Sequence, residues 1–574
     1  MPEFKEEITA AVSEALGGAM PASEIAGLIE KPPSPELGDL AFPCFKLAPL
    51  LKKAPQQIAS GLASKIKLPP GIEKAVPLGP YLNFFVKQES LAGQTIPKIL
   101  KQGEKFGSCK SLSGKKILVE YSSPNTNKPL HIGHLRNDSI GMAVSNILEA
   151  NGAKIIRANL VNDRGIHICK SMLAYQLFGK GGTPQKEKMK SDHFVGKYYV
   201  LYNKKAAENA ELEKQAYGLL QKWEKGDKKT IALWKKMNDW VLFGFRETYA
   251  AFGSRFDQWF FESKFFDKAS GTIELGKKKG VFSPNEEGAL LARLEKHGLP
   301  DKTVLRSDGT AIYMTNDLAL TKHKFEKFGI DEALWVVGSE QNLYFRQLFK
   351  IFELLGFEWA KRCRHLSYGM VCLPEGKLKS REGKVVDADD LIKEMRDLAG
   401  EEVAKREKRI SKKELASRSK AIGLAAIKFY MLRIGAQKDL LFDPKKSISF
   451  EGETGPYIQY TYARAKSILR KAKKANKQSL HLNQLGSPEE KQLVSLLNSF
   501  PSAVEKSASS MSPHAICNFL IETAAAFNRF YHAHPVLQAE NSELRNERLA
   551  LVQATAQVLK NGLHLLNIEA IERM

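Results

Sequence analysis

Hydrophobic and polar positions fall into three successive regimes along the chain. Over residues 1–113, helical spacing in EEITAAVSEAL and APQQIASGLASKI flanks the two-residue alternation of YLNFFV, which predicts a small α/β unit. KKILVEYSS, from Lys115, is a short apolar run entering a polar loop, and Leu135, Ile140, Val144, Ile147 and Leu148 then recur at helical spacing between Gly133 and Gly152. KIIRANLV follows as a strand. Strand, loop, helix, strand is the opening of a parallel, doubly wound sheet. From about Gly179 to Pro300 the pattern changes to charged helices rich in Lys and aromatics, which we read as an insertion splitting the nucleotide fold. The α/β pattern resumes with TVLRSDG, LWVVGS and a helix from near Gln341, and it ends with HLSYGMVCL. Beyond about Asp387 every periodic stretch is helical. The predicted domains are 1–113, a core of 114–180 and 300–386, an insertion of 181–299, and a helical part of 387–574.

The segment SSPNTNKPLHIGHLRN, residues 122–137, sits where the predicted strand meets the predicted helix. A helix N-terminus offers unpaired N–H groups and the positive end of its dipole to a phosphate. Gly133 lets a flat base approach the backbone, and the imidazoles of His131 and His134 can donate hydrogen bonds as charge builds on a phosphorus. A second loop, KLKSREGK (residues 377–384), is basic through Lys379, Arg381 and Lys384 and could neutralise phosphate charge; a basic surface turn is the plainer alternative.

His131-Ile132-Gly133-His134 resembles the HIGH signature of class I aminoacyl-tRNA synthetases, and KLKSREGK occupies the place of their KMSKS signature, with Ser380 where a second lysine would stand. The longer string VEYSSPNTNKPLHIGHLRN resembles the arginyl-tRNA synthetases, in which that lysine is commonly missing and one just before the HIGH box, here Lys128, is thought to compensate. YMTNDLAL, FEGETGPYIQYTYAR, FNRFYHAHPVL and the terminal IERM extend the resemblance over nearly the whole chain.

That resemblance implies an α/β fold: a Rossmann-like class I core with an insertion, an N-terminal additional α/β domain contacting the tRNA elbow, and an all-α anticodon-binding domain. It implies ATP with Mg2+ as co-substrate, L-arginine, and tRNA(Arg), charged at the 2′-hydroxyl of its terminal adenosine. His131, His134 and Lys128 would be catalytic, and Gly133, Lys379, Ser380, Arg381 and Lys384 would join the two histidines at ATP. Glu120, Ser123, Asn125, His131, Tyr313, Asp317 and Gln341 would surround arginine, whose planar cationic fork pairs best with carboxylates. Tyr313 and Asp317, four apart, would share one helix face. A solvated helix acid at Asp317 and an edge-strand acid at Glu120 are the plainer alternatives. For tRNA, the resemblance points to Asn83 in the first domain and to Tyr460, Arg464, Phe527, Tyr531 and Met574 in the last. Core packing is the alternative for each aromatic. The basic run Arg464, Lys466, Arg470, Lys471, Lys473 and Lys474 suits phosphate or a solvated face.

Bulk properties narrow the field. A chain of 574 residues exceeds one hydrophobic core. It carries 87 Lys+Arg against 64 Asp+Glu, a net charge of +23, which attracts polyanions. No apolar run reaches the length of a membrane span, and the start lacks the basic-then-apolar order of a secretory signal. The six cysteines contain no CxxC pair, which argues against a disulfide framework or a thiolate zinc site and suits the cytoplasm. No metal site is expected in the protein, and the family is usually monomeric. Zinc-spaced ligands would mark a cysteinyl enzyme and a large editing domain a leucyl or valyl one. A catalytically silent, RNA-binding paralogue is the rival from another class.

Overall fold

The parallel sheet at the centre of the molecule runs, in spatial order, Cys363–Tyr368, Glu332–Gly338, Lys116–Glu120, Lys154–Val161, Gln258–Phe261, with every neighbouring pair parallel. This computed structural model describes residues 2–265, 268–310, 312–374, 386–472 and 481–574. Ile117, Leu118 and Val119 are all buried, the continuous apolar pattern of a strand covered on both faces. The strand order reverses between Lys116–Glu120 and Glu332–Gly338. A crevice opens outside the carboxyl ends of strands at such a reversal, and ligands bind there in open α/β sheets. Glu120 and Gly338 end the two strands that flank it.

Two features depart from the sequence reading. Gln258–Phe261 is the outermost strand of the central sheet, so the nucleotide fold resumes well before residue 300. Between it and Lys154–Val161 lie helix Ile166–Phe178 and then the inserted helices Ser191–Glu208, Glu211–Glu224 and Lys228–Phe252. Four residues are too few to show a period, and QWFF merges into its aromatic surroundings. TVLRSDG is also not a core strand. Lys302–Leu305 pairs antiparallel with Leu290–Ala292 in a separate three-stranded sheet.

The first domain packs helices Pro2–Ala15 and Pro55–Lys65 with an antiparallel sheet whose central strand is Tyr81–Val86. Beyond Asp387 the regular elements among the described residues are helices, except for Leu440–Leu441, which pairs with Val371–Cys372. Side chains of Asp387, Ser411, Thr454, Ser487 and Asn541 cap these helices, each satisfying N–H groups that the first turn leaves open.

Helix Ile132–Ala150 joins the parts. Its Arg136 is fully buried and donates to four carbonyls, those of Gly369 (2.8 Å), Met370 (3.0 Å), Ala436 (3.0 Å) and Lys438 (2.7 Å). Among the described residues its hydrogen bonds all go to peptide carbonyls, and against burial the Asp439 charge favours its ionised form. Arg136 fastens the helix to the segment leading into the C-terminal domain.

Candidate active site

The loop leaving strand Lys116–Glu120 carries stored strain. Ser122 and Ser123 take left-handed backbone angles, φ 73° and 47°. Each such residue costs about 1–3 kcal/mol and persists only when its surroundings over-determine it. Ser122 N donates to Asn137 Oδ1 at 2.6 Å, its hydroxyl meets that of Tyr249 at 2.7 Å, and Ser123 N donates to Asn159 Oδ1 at 3.2 Å. Asn137 is itself held by Val336 O at 2.8 Å.

The loop delivers His131 as the N-cap of helix Ile132–Ala150. His131 Nδ1 accepts from Gly133 N at 3.2 Å, and His134 Nδ1 accepts from His131 N at 3.1 Å, a capping box made of two imidazoles. Burial, with Lys128 nearby, brings His131 down to about 4, and the same causes plus His131 hold His134 well below the ordinary imidazole range. Both rings are therefore neutral near pH 7. With each Nδ1 accepting, the proton of each ring sits on Nε2, leaving two N–H donors beside a helix N-terminus. A Cβ on Gly133 would come within 3.0 Å of the His131 ring, so this residue must stay small. Burial lowers the Lys128 ammonium from its usual value. Lys379, Ser380, Arg381 and Lys384 lie outside the described residues.

Three acids, Glu120, Glu262 and Asp317, lie close enough for the Asp317 charge to act on Glu262 and the Glu120 charge on Asp317. Tyr313 and Asp317 lie on the first two turns of helix Tyr313–Phe328, four residues apart as anticipated. Asp317 accepts from the Tyr344 hydroxyl, and burial, against that bond, pushes its carboxyl up to about 6. Glu262, just past the end of Gln258–Phe261, was not identified from sequence. Its Oε1 accepts from Asn316 at 2.9 Å, and its buried Oε2 has no hydrogen-bond partner among the described residues. Burial first, and the Asp317 charge second, raise it to about 7.

Glu120 is neither exposed nor an edge-strand acid. It is 3% exposed and its Oε2 accepts a hydrogen bond from Lys324 Nζ at 2.5 Å, a lysine 1% exposed that sequence reasoning also missed. Lys324 lies seven residues after Asp317 on one helix, a spacing that places both on the same side. Ser123 is half-buried, and the exposed Asn125 forms a bridge with Asn162 on the same loop system. Tyr313 is exposed, its hydroxyl above Gly165. Gln341 is exposed one residue before helix Asn342–Leu354, which carries Tyr344. Gln347, its neighbour, is buried and donates to Pro300 O at 2.8 Å.

In the helical domain, the Arg464 guanidinium lies 4.8 Å from the ring centre of Tyr460 and 5.2 Å from that of Tyr531, and it donates to Asn528 Oδ1 at 2.6 Å. Tyr460, Arg464 and Met574 line one cavity of about 350 Å³ together with Arg470 and Arg573. Tyr531 is 38% exposed. Two expectations are corrected. Phe527 is 0% exposed and stacks beneath Tyr531, so it is core, one helical turn deeper on the same face. Asn83 is 4% exposed on the central strand of its sheet and offers no surface to RNA. In the basic run Lys466 pairs with the Glu572 carboxylate at 2.9 Å, while Arg470 donates to the Glu572 backbone carbonyl at 3.0 Å and keeps its charge. Lys473 and Lys474 lie outside the described residues.

Comparisons with known proteins agree along the chain. Residues 3–86 match the arginyl tRNA synthetase N terminal domain, 95–443 the catalytic domain of tRNA synthetases class I (R), and 458–574 the DALR anticodon binding domain. The arginine–tRNA ligase of Treponema denticola is 45% identical over 561 residues, covering 95% of this chain and 94% of the relative, and that of Treponema pallidum is 40% identical over 584, covering 100% and 99%. The arginyl-tRNA synthetase structure of Thermus thermophilus superimposes with a TM-score of 0.82 at 29% identity, covering 99% of both chains. Its three domains, its histidine-capped helix and this similarity together place the chain in the arginyl-tRNA synthetase family of class I.

Proposed function

We propose that the protein activates L-arginine with ATP to arginyl-adenylate and transfers the arginyl group to the 2′-hydroxyl of the terminal adenosine of tRNA(Arg). The observation that carries this reading is a pair of carboxylates, Asp317 and Glu262, whose ionisation burial opposes, in the same sheet fold as a helix N-terminus capped by two neutral imidazole N–H donors. A guanidinium is the cation that restores their charge, and its fork presents two donors at once. Glu120, with one oxygen committed to Lys324, backs them. Ser123, Asn125 and His131 hold the α-amino and carboxylate end, with Tyr313 and Gln341 at the mouth.

In this reading an arginine carboxylate oxygen attacks the α-phosphorus and pyrophosphate leaves. The Nε2–H groups of His131 and His134, the helix N-terminus and the Lys128 ammonium stabilise the charge that builds there, with Lys379, Ser380, Arg381 and Lys384 at the leaving group. The 2′-hydroxyl then attacks the activated carbonyl, and AMP departs. No side chain becomes a covalent nucleophile; alignment and electrostatics carry both steps. ATP enters as its magnesium complex, the metal riding on the phosphates. Arg464, Tyr460, Tyr531 and Met574 receive the anticodon. We take the enzyme to act as a monomer in the cytoplasm, as the family resemblance implies.

ATP–pyrophosphate exchange and tRNA charging with a panel of amino acids test the proposal. Arginine alone is expected to support both. Charging with a different amino acid, or tight RNA binding with no charging at all, overturns it.

A further inference from the structure

The inserted helices contribute none of the groups assigned to substrate, yet they grip the ATP-handling segment at two points. The first is a close approach. A Cβ on Gly196, in helix Ser191–Glu208, would stand 2.7 Å from Pro129 Cδ and 3.6 Å from Lys128 Cα, so the helix lies directly against the backbone that carries Lys128.

The second is a polar nest. Lys190 Nζ donates to Asp389 Oδ2 at 2.6 Å, to Asp192 Oδ2 at 3.1 Å and to Thr248 Oγ1 at 2.5 Å. Thr248 in turn donates to Asp389 Oδ1 at 2.9 Å. His193 Nε2 reaches Asp389 Oδ2 at 3.1 Å and Asp387 Oδ2 at 3.4 Å. Asp387 Oδ1 caps the following helix, accepting from Asp389 N at 2.8 Å and Asp390 N at 3.2 Å. The backbone on either side of Asp387 pairs with the backbone on either side of His131: Ile132 N donates to Val386 O at 2.9 Å and Ala388 N to Leu130 O at 3.0 Å. A continuous path of hydrogen bonds thus runs from the inserted helices through two aspartates to the peptide of the first motif histidine.

We infer that Lys190, His193 and Thr248 are positioning residues for the ATP site, holding His131 in place through Asp389 and Asp387. This rests on the reading that His131 and Lys128 handle ATP. Thr248 and Asp192 are buried, and Asp192 is pressed so closely on Gly244 that a Cβ there would meet its Oδ1 at 2.3 Å, so the nest has little freedom to rearrange. Three carboxylates, Asp192, Asp387 and Asp389, face one ammonium and one imidazole. Against the effect of burial, those carboxylates carry His193 above its usual value, while hydrogen bonds from His193 and Lys190 hold Asp389 down to about 2. The groups facing His193 are Lys190, which precedes its helix, Asp192 within that helix, Thr248 from Lys228–Phe252, and Asp387 and Asp389 from the start of the next domain. As pH rises through the His193 titration, one cation is withdrawn from this balance and the hold on Asp387 weakens.

The test uses the full-length enzyme, with ATP–pyrophosphate exchange measured at varied ATP and varied arginine, tRNA binding, and thermal melting. His193→Ala and Asp389→Asn are expected to change kcat or the KM for ATP by about ten- to a hundredfold, the scale on which misplaced catalytic groups cost rate. The affinity for tRNA should stay within about twofold, and the KM for arginine, whose carboxylate end His131 also holds in this reading, should rise less than the KM for ATP. His193→Gln, which keeps an N–H donor, should recover part of the loss and flatten the alkaline limb of the exchange profile. Variants that melt early but show unaltered kinetics in their folded fraction overturn the inference, as does an equal rise in both KM values. His131→Ala serves as the control. If it abolishes exchange while His193→Ala and Asp389→Asn do not alter it, positioning fails and the ATP-site reading stands. If His131→Ala leaves exchange intact, the ATP-site reading itself fails, and the inference with it.

Discussion

Lys324 Nζ lies 2.5 Å from Glu120 Oε2, and the two side chains are almost wholly withdrawn from water. The lysine also sits 5.3 Å from the ring centres of both Phe260 and Trp335. The acid at the end of the central strand is thereby neutralised from within the protein, which leaves Asp317 and Glu262 as the carboxylates free to meet a cationic substrate.

Breaking this pair from one side strands a buried charge. Lys324→Met should destabilise the fold by about 3–5 kcal/mol. Adding Glu120→Gln should recover most of that loss in denaturant or thermal unfolding, because both charges are then gone. A single variant as stable as the parent would show that the pair is not buried in solution.

Asp317→Asn and Glu262→Gln each remove one partner of a charge-assisted hydrogen bond worth about 1.5–3 kcal/mol. The KM for arginine should rise by about ten- to a hundredfold in each, with the KM for ATP little changed. Loss confined to Asp317→Asn would place Glu262 outside the pocket.

Arginine binding should also depend on pH in a definite direction. Burial raises Asp317 to about 6 and Glu262 to about 7, and a guanidinium binds their ionised forms. Affinity is therefore full above about 7 and falls as pH drops through 7 and 6, with protons released on binding in that window. Calorimetry in buffers of different ionisation enthalpy measures the release directly. Proton uptake instead of release would contradict the assignment.

Lys128→Ala should depress adenylate formation far more than tRNA binding, since its ammonium is assigned to phosphate charge. Exchange kinetics and filter binding compare the two. Equal losses would count against that role.

In the helical domain, Phe527 and Tyr531 should part company. Phe527→Ala empties a fully buried site and should cost about 3–5 kcal/mol of stability. Tyr531→Ala should leave melting nearly unchanged while weakening tRNA binding. A stable Phe527→Ala with impaired tRNA binding would reverse the two roles.

Much of this architecture was legible in the order of residues. Helix Ile132–Ala150 announced itself through its apolar spacing and Gly133, and Tyr313 and Asp317 shared a face because four residues make about one turn. What stayed hidden depends on contacts across sequence. Glu120 and Lys324 are 204 positions apart, and Glu262 meets Asn316 across 54. Local period carries no trace of such pairings, though Glu262 does follow the carboxyl end of a core strand, as Glu120 closes one. Phe527 and Tyr531 are separated by one turn, so periodicity assigns both the same face and cannot tell which lies deeper. QWFF was too short to be seen as a strand at all.

The four carbonyls around Arg136 set a practical limit on how far this enzyme can be trimmed. Two of them, on Ala436 and Lys438, lie beyond helix Lys412–Leu432, about 300 positions along the chain from Arg136. A fragment ended at the last strand of the sheet, Cys363–Tyr368, would strip the Arg136 guanidinium of all four acceptors, and one ended before residue 436 would strip it of two, at the root of the histidine-capped helix. The smallest autonomous catalytic piece therefore has to reach past residue 438, and anyone grafting a different tRNA-reading module onto this core must make the junction after that point.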